Sequence, residues 1–166
     1  MKRSIVQCFA LVLLLGAVAL PASAQTKAKS DSRVAAVLSD LGLKYKVNDS
    51  GNFVVTYNQG KGRSQEVFIM SSTETYNDIE IREIWSIAGS FDTAPTADVL
   101  IDLMNESAGN KIGDWALEKQ DDGTYLLFYT IKAPVEISNA AFQMMLEFAA
   151  DVADSREQAL FSTDDN

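Results

Sequence analysis

The chain has 166 residues, with 23 acidic and 14 basic side chains, one cysteine and no histidine. A net charge of −9 at pH 7 makes nucleic acid an unfavourable partner, because an acidic surface repels phosphate backbones. Without histidine, and with Cys8 as the sole thiol, the sequence excludes Ser-His-Asp and Cys-His catalytic sites and zinc sites built on these side chains.

The first 24 residues predict a cleavable secretory signal peptide. Lys2 and Arg3 supply the positive start, residues 5–20 form an apolar run, and Ala22-Ser23-Ala24 matches the small-x-small pattern of a cleavage site. The run is shorter than the roughly 20 apolar residues of a membrane-spanning helix. We therefore expect a periplasmic or secreted mature domain that has no transmembrane segment and has lost Cys8 with the signal peptide.

The mature chain is predicted to begin with a polar linker over residues 25–31 and a helix from about Ser32. Asp31 or Ser32 can cap the start of this helix, and Gly42 can end it in a left-handed conformation. The buried stripe of the helix has the spacing i, i+3, i+4, i+7 and comprises Val34, Val37, Leu38 and Leu41.

Strand signals follow over residues 44–47, 53–57 and 66–70, with turn-forming residues between them. Residues 79–88 fit two patterns, because their apolar positions suit both an alternating strand and one stripe of a helix. The β-branched residues of this segment and the turn before it favour a strand, with a bulge where the alternation changes.

A second helix is predicted after Pro95, because proline suits the first turn of a helix, and Gly109-Asn110 can end it. The apolar side of this helix comprises Val99, Leu100, Leu103 and Met104. The turn Asp121-Asp122-Gly123 then predicts a hairpin between strands over residues 115–119 and 125–131.

A long final helix is predicted to start at the capping residue Ser138, and residues 162–166 are predicted to be a flexible tail. The buried stripe of this helix comprises Phe142, Met145, Leu146, Ala149, Val152 and Ala153. The whole order is α-β-β-β-β-α-β-β-α, which predicts an α+β domain over residues 32–161: an antiparallel β-sheet packed with three helices.

Several of these segments together resemble a known family. They are Leu41-Gly42-Leu43-x-Tyr45, Gly51-x-Phe53, Leu100-x-x-Leu103-x-Asn105, Trp115-x-Leu117 and Asp122-Gly123. In this order, over about residues 32–155, the chain resembles the YbjN-domain family of bacterial proteins, which are described as sensory transduction regulators. The resemblance implies the fold of type III secretion chaperones and a non-enzymatic domain that forms a homodimer or holds a partner polypeptide.

No catalytic residue, metal ligand or cofactor site is predicted. Asp49-x-Gly51 and Asp121-Asp122-x-Thr124 have too few spaced oxygen ligands for a calcium loop, and turn chemistry explains them. Paired carboxylates could serve a hydrolase without histidine, but the acidic residues are abundant and no pair stands out. The available carboxylates are Glu80, Glu83, Asp114 and Glu118.

The strands are apolar on both faces, whereas an antiparallel sheet with one face in water should alternate apolar and polar residues. Either the second helix covers the second face within the monomer, or a second subunit or client chain covers it. Seven residues form the predicted partner-binding or dimer surface: Phe53, Val55, Tyr57, Trp85, Tyr125, Leu127 and Tyr129.

Three functions remain open at this level. The preferred one is a protein-binding or chaperone-like regulatory adaptor in the cell envelope. A small-ligand or envelope-stress sensing module would need a closed pocket between the sheet and the helices. A carboxylate-based hydrolase would need a deep acidic cleft.

Overall fold

The computed structural model describes residues 29–161, so the predicted signal peptide, most of the linker and the predicted tail lie outside the described residues. The described chain confirms the predicted α+β class, the antiparallel sheet with three helices and the element order. The elements are α1 (Ser32–Asp40), β1 (Lys46–Val47), β2 (Phe53–Gly60), β3 (Arg63–Tyr76), β4 (Ile79–Phe91), α2 (Ala97–Gly109), β5 (Asp114–Lys119), β6 (Tyr125–Pro134) and α3 (Asn139–Leu160).

The six strands form one sheet in the order β1-β2-β3-β4-β6-β5, and every neighbouring pair is antiparallel. The ambiguous segment 79–88 lies within β4, which confirms the strand interpretation. A bulge between Ile87 and Gly89 shifts the register of β4 against β6. The strand β5 lies at one edge of the sheet, next to β6.

The strand β3 is longer than the apolar pattern predicts, because it continues past Met70 through a polar stretch to Tyr76. Pairing with β4 stabilises this extension, whose last pair is Tyr76 with Ile79. Asn77 forms the turn between the two strands with φ = 52°, a left-handed conformation that asparagine tolerates better than most residues. Hydrogen bonding to a neighbouring strand therefore extends β3 where hydrophobic alternation ends.

Side chains cap all three helices at their N-termini. The Oδ1 atom of Asp31 accepts the Arg33 N–H at 2.9 Å, and Oγ of Ser138 accepts the Ala141 N–H at 3.2 Å. The helix α2 begins later than expected from Pro95, because Thr96 is its cap and accepts the Val99 N–H. Each cap satisfies a backbone donor that the helix itself leaves unpaired.

All three helices pack on the same face of the sheet. The helices α1 and α3 lie over a core that includes Phe53, Ile84 and Tyr129. The buried residue of α2, Leu103, packs in a second cluster with Leu127 of β6 and Ala153 of α3. Since Leu127 and Tyr129 point to one side of β6, α2 shares the face of the other helices.

The alternative in which α2 covers the second face is therefore wrong. A short link, residues 110–113, connects α2 to the edge strand β5 and keeps the helix beside the strand that it precedes. Within residues 29–161 no helix is both long enough and apolar enough to cross a membrane.

Candidate functional site

The face of the sheet opposite the helices carries a continuous apolar surface, which we call the open face. Residues directly opposite each other on antiparallel strands share a face. Val54 pairs with Phe68 and Phe68 with Trp85, while Ile87 pairs with Phe128 and Phe128 with Ala116. With Met70 and Leu126, the open face comprises Val54, Phe68, Met70, Trp85, Ile87, Ala116, Leu126 and Phe128.

Aromatic packing organises the centre of the open face. The rings of Trp85 and Phe128 lie 4.8 Å apart. The indole N–H of Trp85 donates to Glu83 Oε2 at 3.1 Å, so the polar edge of the ring is satisfied while its apolar body covers the sheet. Phe128 and Val54 are almost fully covered by their neighbours, and Phe68 and Trp85 remain partly exposed. No helix of the described chain lies over these side chains.

Charged side chains border the open face. Lys132 lies 3.5 Å from Glu83 and pairs with it across β4 and β6. Beside this pair, Met70 and Ile81 line a shallow groove of about 250 Å³. An apolar centre with a charged rim is the usual layout of a protein interface.

The structure places four of the seven predicted surface residues in the core. Phe53, Val55, Leu127 and Tyr129 lie beneath the helices and are at most 2% exposed. These four cannot form a contact surface in this fold, because the helices already cover them.

The other three predicted residues lie apart. Tyr57 packs half-buried at the margin of the same core. Tyr125 pairs with Phe91 at the far end of β6 and carries the Lys119 ammonium over its ring. Only Trp85 lies on the open face, so the prediction of a binding surface rests on that residue and on neighbours that sequence reasoning missed.

Two of the missed residues, Val54 and Phe128, alternate with predicted residues along β2 and β6, whereas Phe68 lies on β3, where no surface residue was predicted. Both sets are apolar, so alternation alone does not show which set faces the helices. No hairpin turn joins β4 to β6, so turn chemistry does not predict the register in which Trp85 pairs with Thr130 and not with Tyr129. This register places Trp85 on the opposite face of the sheet from Leu127 and Tyr129, although the sequence predicts all three on one surface.

A second apolar surface lies between α2 and β5, which we call the α2–β5 groove. It has a volume of about 550 Å³ and is open to solvent. Leu100 and Met104, predicted to lie on the apolar side of α2, are 37% and 71% exposed. The residues that line it are Leu100, Leu103, Met104, Ser107, Ala108, Asp114, Trp115, Ala116, Leu117 and Leu127.

The carboxylates considered for hydrolysis do not converge on a cleft. Glu80 accepts hydrogen bonds from Arg33 at 2.7 and 2.8 Å and from Thr73 Oγ1 at 2.6 Å, which lower its pKa to about 2. Glu83 belongs to the open face, where Trp85 and Lys132 contact it.

Asp114 and Glu118 lie on one side of β5, and Ala116 lies between them on that side. Asp114 lines the α2–β5 groove, whose other lining residues are mainly apolar. Among residues 29–161, no three His, Cys, Asp or Glu side chains form a group that could hold a metal ion.

Comparison with known proteins adds little to this geometry. No protein-family model matches the chain, and no curated protein matches it. Among solved structures, it is similar to YbjN from E. coli, a suggested transcription regulator, at 10% identity and a TM-score of 0.44. The match covers 78% of this chain and 90% of that chain. The likeness is one of overall fold and bears on neither the function nor the binding residues of this protein.

Proposed function

We propose that this protein is an exported, non-enzymatic adaptor that binds a partner protein on its open face. The observation that carries the proposal is the packing of all three helices on one side of the sheet, which leaves an apolar, aromatic side without cover in the described chain. The side chains of this face are partly exposed or, for Val54 and Phe128, nearly covered by their neighbours, and together they present a contiguous apolar surface. Such a surface is typical of interaction sites.

The composition of the open face fits a protein partner. Tryptophan and other large aromatic residues contribute most to binding energy at protein interfaces, and Trp85, Phe68 and Phe128 lie side by side here. The resemblance of residues 32–155 to the YbjN-domain family points the same way, because it implies a non-enzymatic domain that holds a polypeptide. A net charge of −9 per chain disfavours a second copy and favours a partner that is neutral or basic.

Site-specific photo-crosslinking in cells tests this proposal. A photoreactive amino acid replaces Phe68 on the open face and, as a matched control, Met144, which is 48% exposed on α3, on the helix side of the sheet. We expect a defined adduct from position 68 and none from position 144. Trp85→Lys should abolish the adduct, because the lysine ammonium would lose its hydration when an apolar partner surface binds over it. Equal adducts from both positions, or persistence of the adduct in Trp85→Lys, would contradict the proposal.

The homodimer implied by the family resemblance is a separate prediction. Size-exclusion chromatography with light scattering measures the mass directly. A dimer that Trp85→Lys converts to a monomer would show that a second copy occupies the open face. A monomer that gives the site-specific adduct supports a different partner.

Export is also a proposal, and mass spectrometry of the protein from fractionated cells tests it. We expect a mature chain that starts at Gln25 and is found outside the cytoplasm. Ala24→Tyr should block processing, because a large residue cannot occupy the small-residue position of the cleavage site. An intact chain from Met1 in the cytoplasm would contradict export and would leave the binding proposal unaffected.

A further inference from the structure

The α2–β5 groove is an apolar surface that the open-face proposal does not use. We propose that it binds a free, single-chain amphiphile that has an ammonium head group. The apolar chain of this ligand would lie between α2 and β5, and its ammonium group would face the Asp114 carboxylate. The inference does not depend on the open face, so either proposal can fail alone.

The volume and the lining of the groove fit a small molecule. Its volume of about 550 Å³ lies within the range of roughly 300–1,000 Å³ that is common for small-molecule sites. Such sites are mostly apolar, with a few polar groups that orient the ligand. Here the only polar lining residues are Ser107 and Asp114. Ser107 Oγ already accepts the Trp115 N–H at 2.9 Å, so the Asp114 carboxylate is the charged group that can orient a ligand.

Contacts within the described chain hold both walls of the groove in place. The ring of Trp115, on the β5 wall, packs against the Tyr129 ring at 5.2 Å and lies 6.0 Å from the Arg156 guanidinium. Arg156 also forms an ion pair with Glu106, which ties α2 to α3. Because both walls are fixed without a ligand, binding would order few additional side chains, and this lowers its entropic cost.

The apolar side chains of the groove form a covered floor and an exposed wall. Leu103 and Leu127 line the groove and are buried, so they form the floor, whereas Leu100 and Met104 are exposed on the α2 wall. An apolar chain against this wall would remove its surface from water, which favours binding. Since the groove is open to solvent, a charged head group can stay hydrated while the chain is covered. An amphiphile satisfies both conditions.

The two walls run in opposite directions, which places Asp114 at one end of the groove. A short link joins the end of α2 to the start of β5, and the hydrogen bond between Ser107 and Trp115 lies beside this link. From Ser107 back to Leu100 the helix advances by about 10 Å, and from Asp114 to Leu117 the strand advances by about the same distance. The end that holds Leu100 and Leu117 is therefore apolar, and the opposite end carries the carboxylate.

The charge at the Asp114 end favours a cation. Asp114 is exposed and takes part in no ion pair within residues 29–161. It lies beside the C-terminal end of α2, where the helix dipole carries partial negative charge and where the last turn contains no basic residue. Both features attract an ammonium group and repel a carboxylate or a phosphate. The net charge of −9 acts in the same direction, so an anionic amphiphile is disfavoured.

NMR spectroscopy of isotope-labelled protein locates the ligand, because each of the 2 tryptophans gives its own indole N–H signal. Trp115 lines the groove, whereas Trp85 lies on the open face. The probe is decyltrimethylammonium at concentrations below those at which it forms micelles. We expect a saturable shift of the Trp115 signal with a Kd below about 1 mM and no comparable shift of the Trp85 signal. The variant Trp85→Phe assigns the two signals.

Three related probes separate the head group, the chain and a membrane surface. Decanoate carries an apolar chain and the opposite charge, so it should bind at least about tenfold more weakly. Tetramethylammonium carries the head group without the chain and should not shift the Trp115 signal at about 1 mM. Phosphatidylcholine vesicles present the same trimethylammonium group at a membrane, and the protein should not sediment with them.

A pair of substitutions on β5 tests the role of the carboxylate. Asp114→Asn and Glu118→Gln each remove one negative charge from the same side of the strand, but Glu118 does not line the groove. Asp114→Asn should weaken the binding of decyltrimethylammonium about fourfold, which is the effect of losing an exposed ion pair. Glu118→Gln should leave the Kd almost unchanged. Both side chains are exposed, so neither substitution removes a core contact.

Several results would overturn the inference. They are no saturable shift of the Trp115 signal at about 1 mM, an equal shift of the Trp85 signal, equal binding of decanoate, a shift caused by tetramethylammonium alone, or equal weakening by the two β5 substitutions. Sedimentation with the vesicles would also overturn it, because the site would then recognise a membrane and not a free amphiphile. The probe comparisons need no variant, so they decide the question even if a substitution perturbs folding.

Discussion

Gly113 shows at the scale of one residue how the start of β5 is held against β6. Its φ is 75°, and a Cβ atom at this position would lie 2.6 Å from the ring of Tyr129 and 2.7 Å from the carbonyl oxygen of Thr130. Only glycine can adopt this backbone conformation at such a close approach.

We predict that Gly113→Ala lowers the free energy of unfolding by about 3 kcal/mol, because it adds a clash with the backbone to the strain of a positive φ. Gly123→Ala is the control, since Gly123 has φ = 93° but no heavy atom lies within 4 Å of the place that its Cβ atom would take. It should cost only about 1 kcal/mol. Urea denaturation measures both values, and equal losses would contradict the packing argument.

Arg63 bridges the start of β3 to α3 in a largely buried ion cluster. Its Nε lies 2.9 Å from Asp154 Oδ1 and its Nη2 lies 2.8 Å from Glu157 Oε2. The Glu157 side chain is 1% exposed, so its charge depends on the protein groups around it.

We predict that Arg63→Met lowers the free energy of unfolding by about 3 kcal/mol, because both carboxylates lose the guanidinium that faces them. Arg33→Met is the control, since the Arg33 side chain is 52% exposed in its ion pairs and should contribute about 1 kcal/mol or less. Thermal and urea denaturation of the two variants provide the comparison. Similar losses would show that burial does not decide the strength of these pairs.

At the scale of the element, α1 is attached to the β3–β4 hairpin through charges at its N-terminus. Asp31 accepts hydrogen bonds from Arg33 and, at 2.6 Å, from Arg82, and these hold the pKa of Asp31 well below its usual value. Arg33 also pairs with Glu80, whose pKa is about 2. Both carboxylates therefore favour the folded state in their ionised form.

The pH dependence follows from the direction of these shifts. In the unfolded chain the pKa is 3.8 for Asp31 and 4.5 for Glu80, and folding lowers both. The two carboxylates therefore stabilise the folded protein at a pH above these values, and this stabilisation is lost as the pH falls toward 2. We predict that in Asp31→Asn the melting temperature falls less steeply as the pH is lowered. The substitution should keep the helix cap, because asparagine also caps well. Asp121→Asn, at the exposed β5–β6 turn, is the control and should leave the decline unchanged.

The helix α2 shows which features of an element can be predicted from sequence. Its position and its apolar side follow from the spacing of Val99, Leu100, Leu103 and Met104. The structure buries Leu103 and leaves Leu100 and Met104 on the α2–β5 groove. Spacing shows that these side chains share one side of a helix, but only the placement of α2 beside an edge strand decides how much of that side is covered.

At the scale of the molecule, the ionisation of two tyrosine hydroxyls is coupled to unfolding of the whole domain. Burial raises the pKa of Tyr57 and of Tyr129 to about 12, because the core disfavours the phenolate. Tyr129 is fully buried under the helices, so it can ionise only if the packing opens. Since the folded pKa is raised, stability is complete below the unfolded value of 10 and is lost as the pH rises toward 12.

We predict that phenolate absorbance of the buried tyrosines and loss of circular dichroism change together between about pH 10 and 12. Tyr57→Phe should reduce the alkaline decline with little cost at neutral pH, because the Tyr57 hydroxyl has no hydrogen-bond partner in the described structure. Ionisation of all tyrosines before any structural change would contradict the coupling.

The elements, their order and the α+β class can be predicted from the amino-acid sequence, which also carries the predicted export signal. These properties depend on local periodicity, on caps and on turns, which a short stretch of chain encodes. Which apolar face of the sheet the helices cover depends on tertiary packing. Strands such as Tyr125–Pro134 are apolar on both sides, so their pattern is the same for either choice.

Contacts between distant residues settle that choice. Leu103 of α2 meets Ala153 of α3 over Leu127 of β6, which fixes all the helices on one side and leaves Phe68 and Trp85 partly exposed on the other. The same packing places α2 beside the edge strand β5, where the α2–β5 groove forms. The candidate surfaces are therefore products of packing, because a side chain becomes a binding residue here only when no helix of the described chain lies over it.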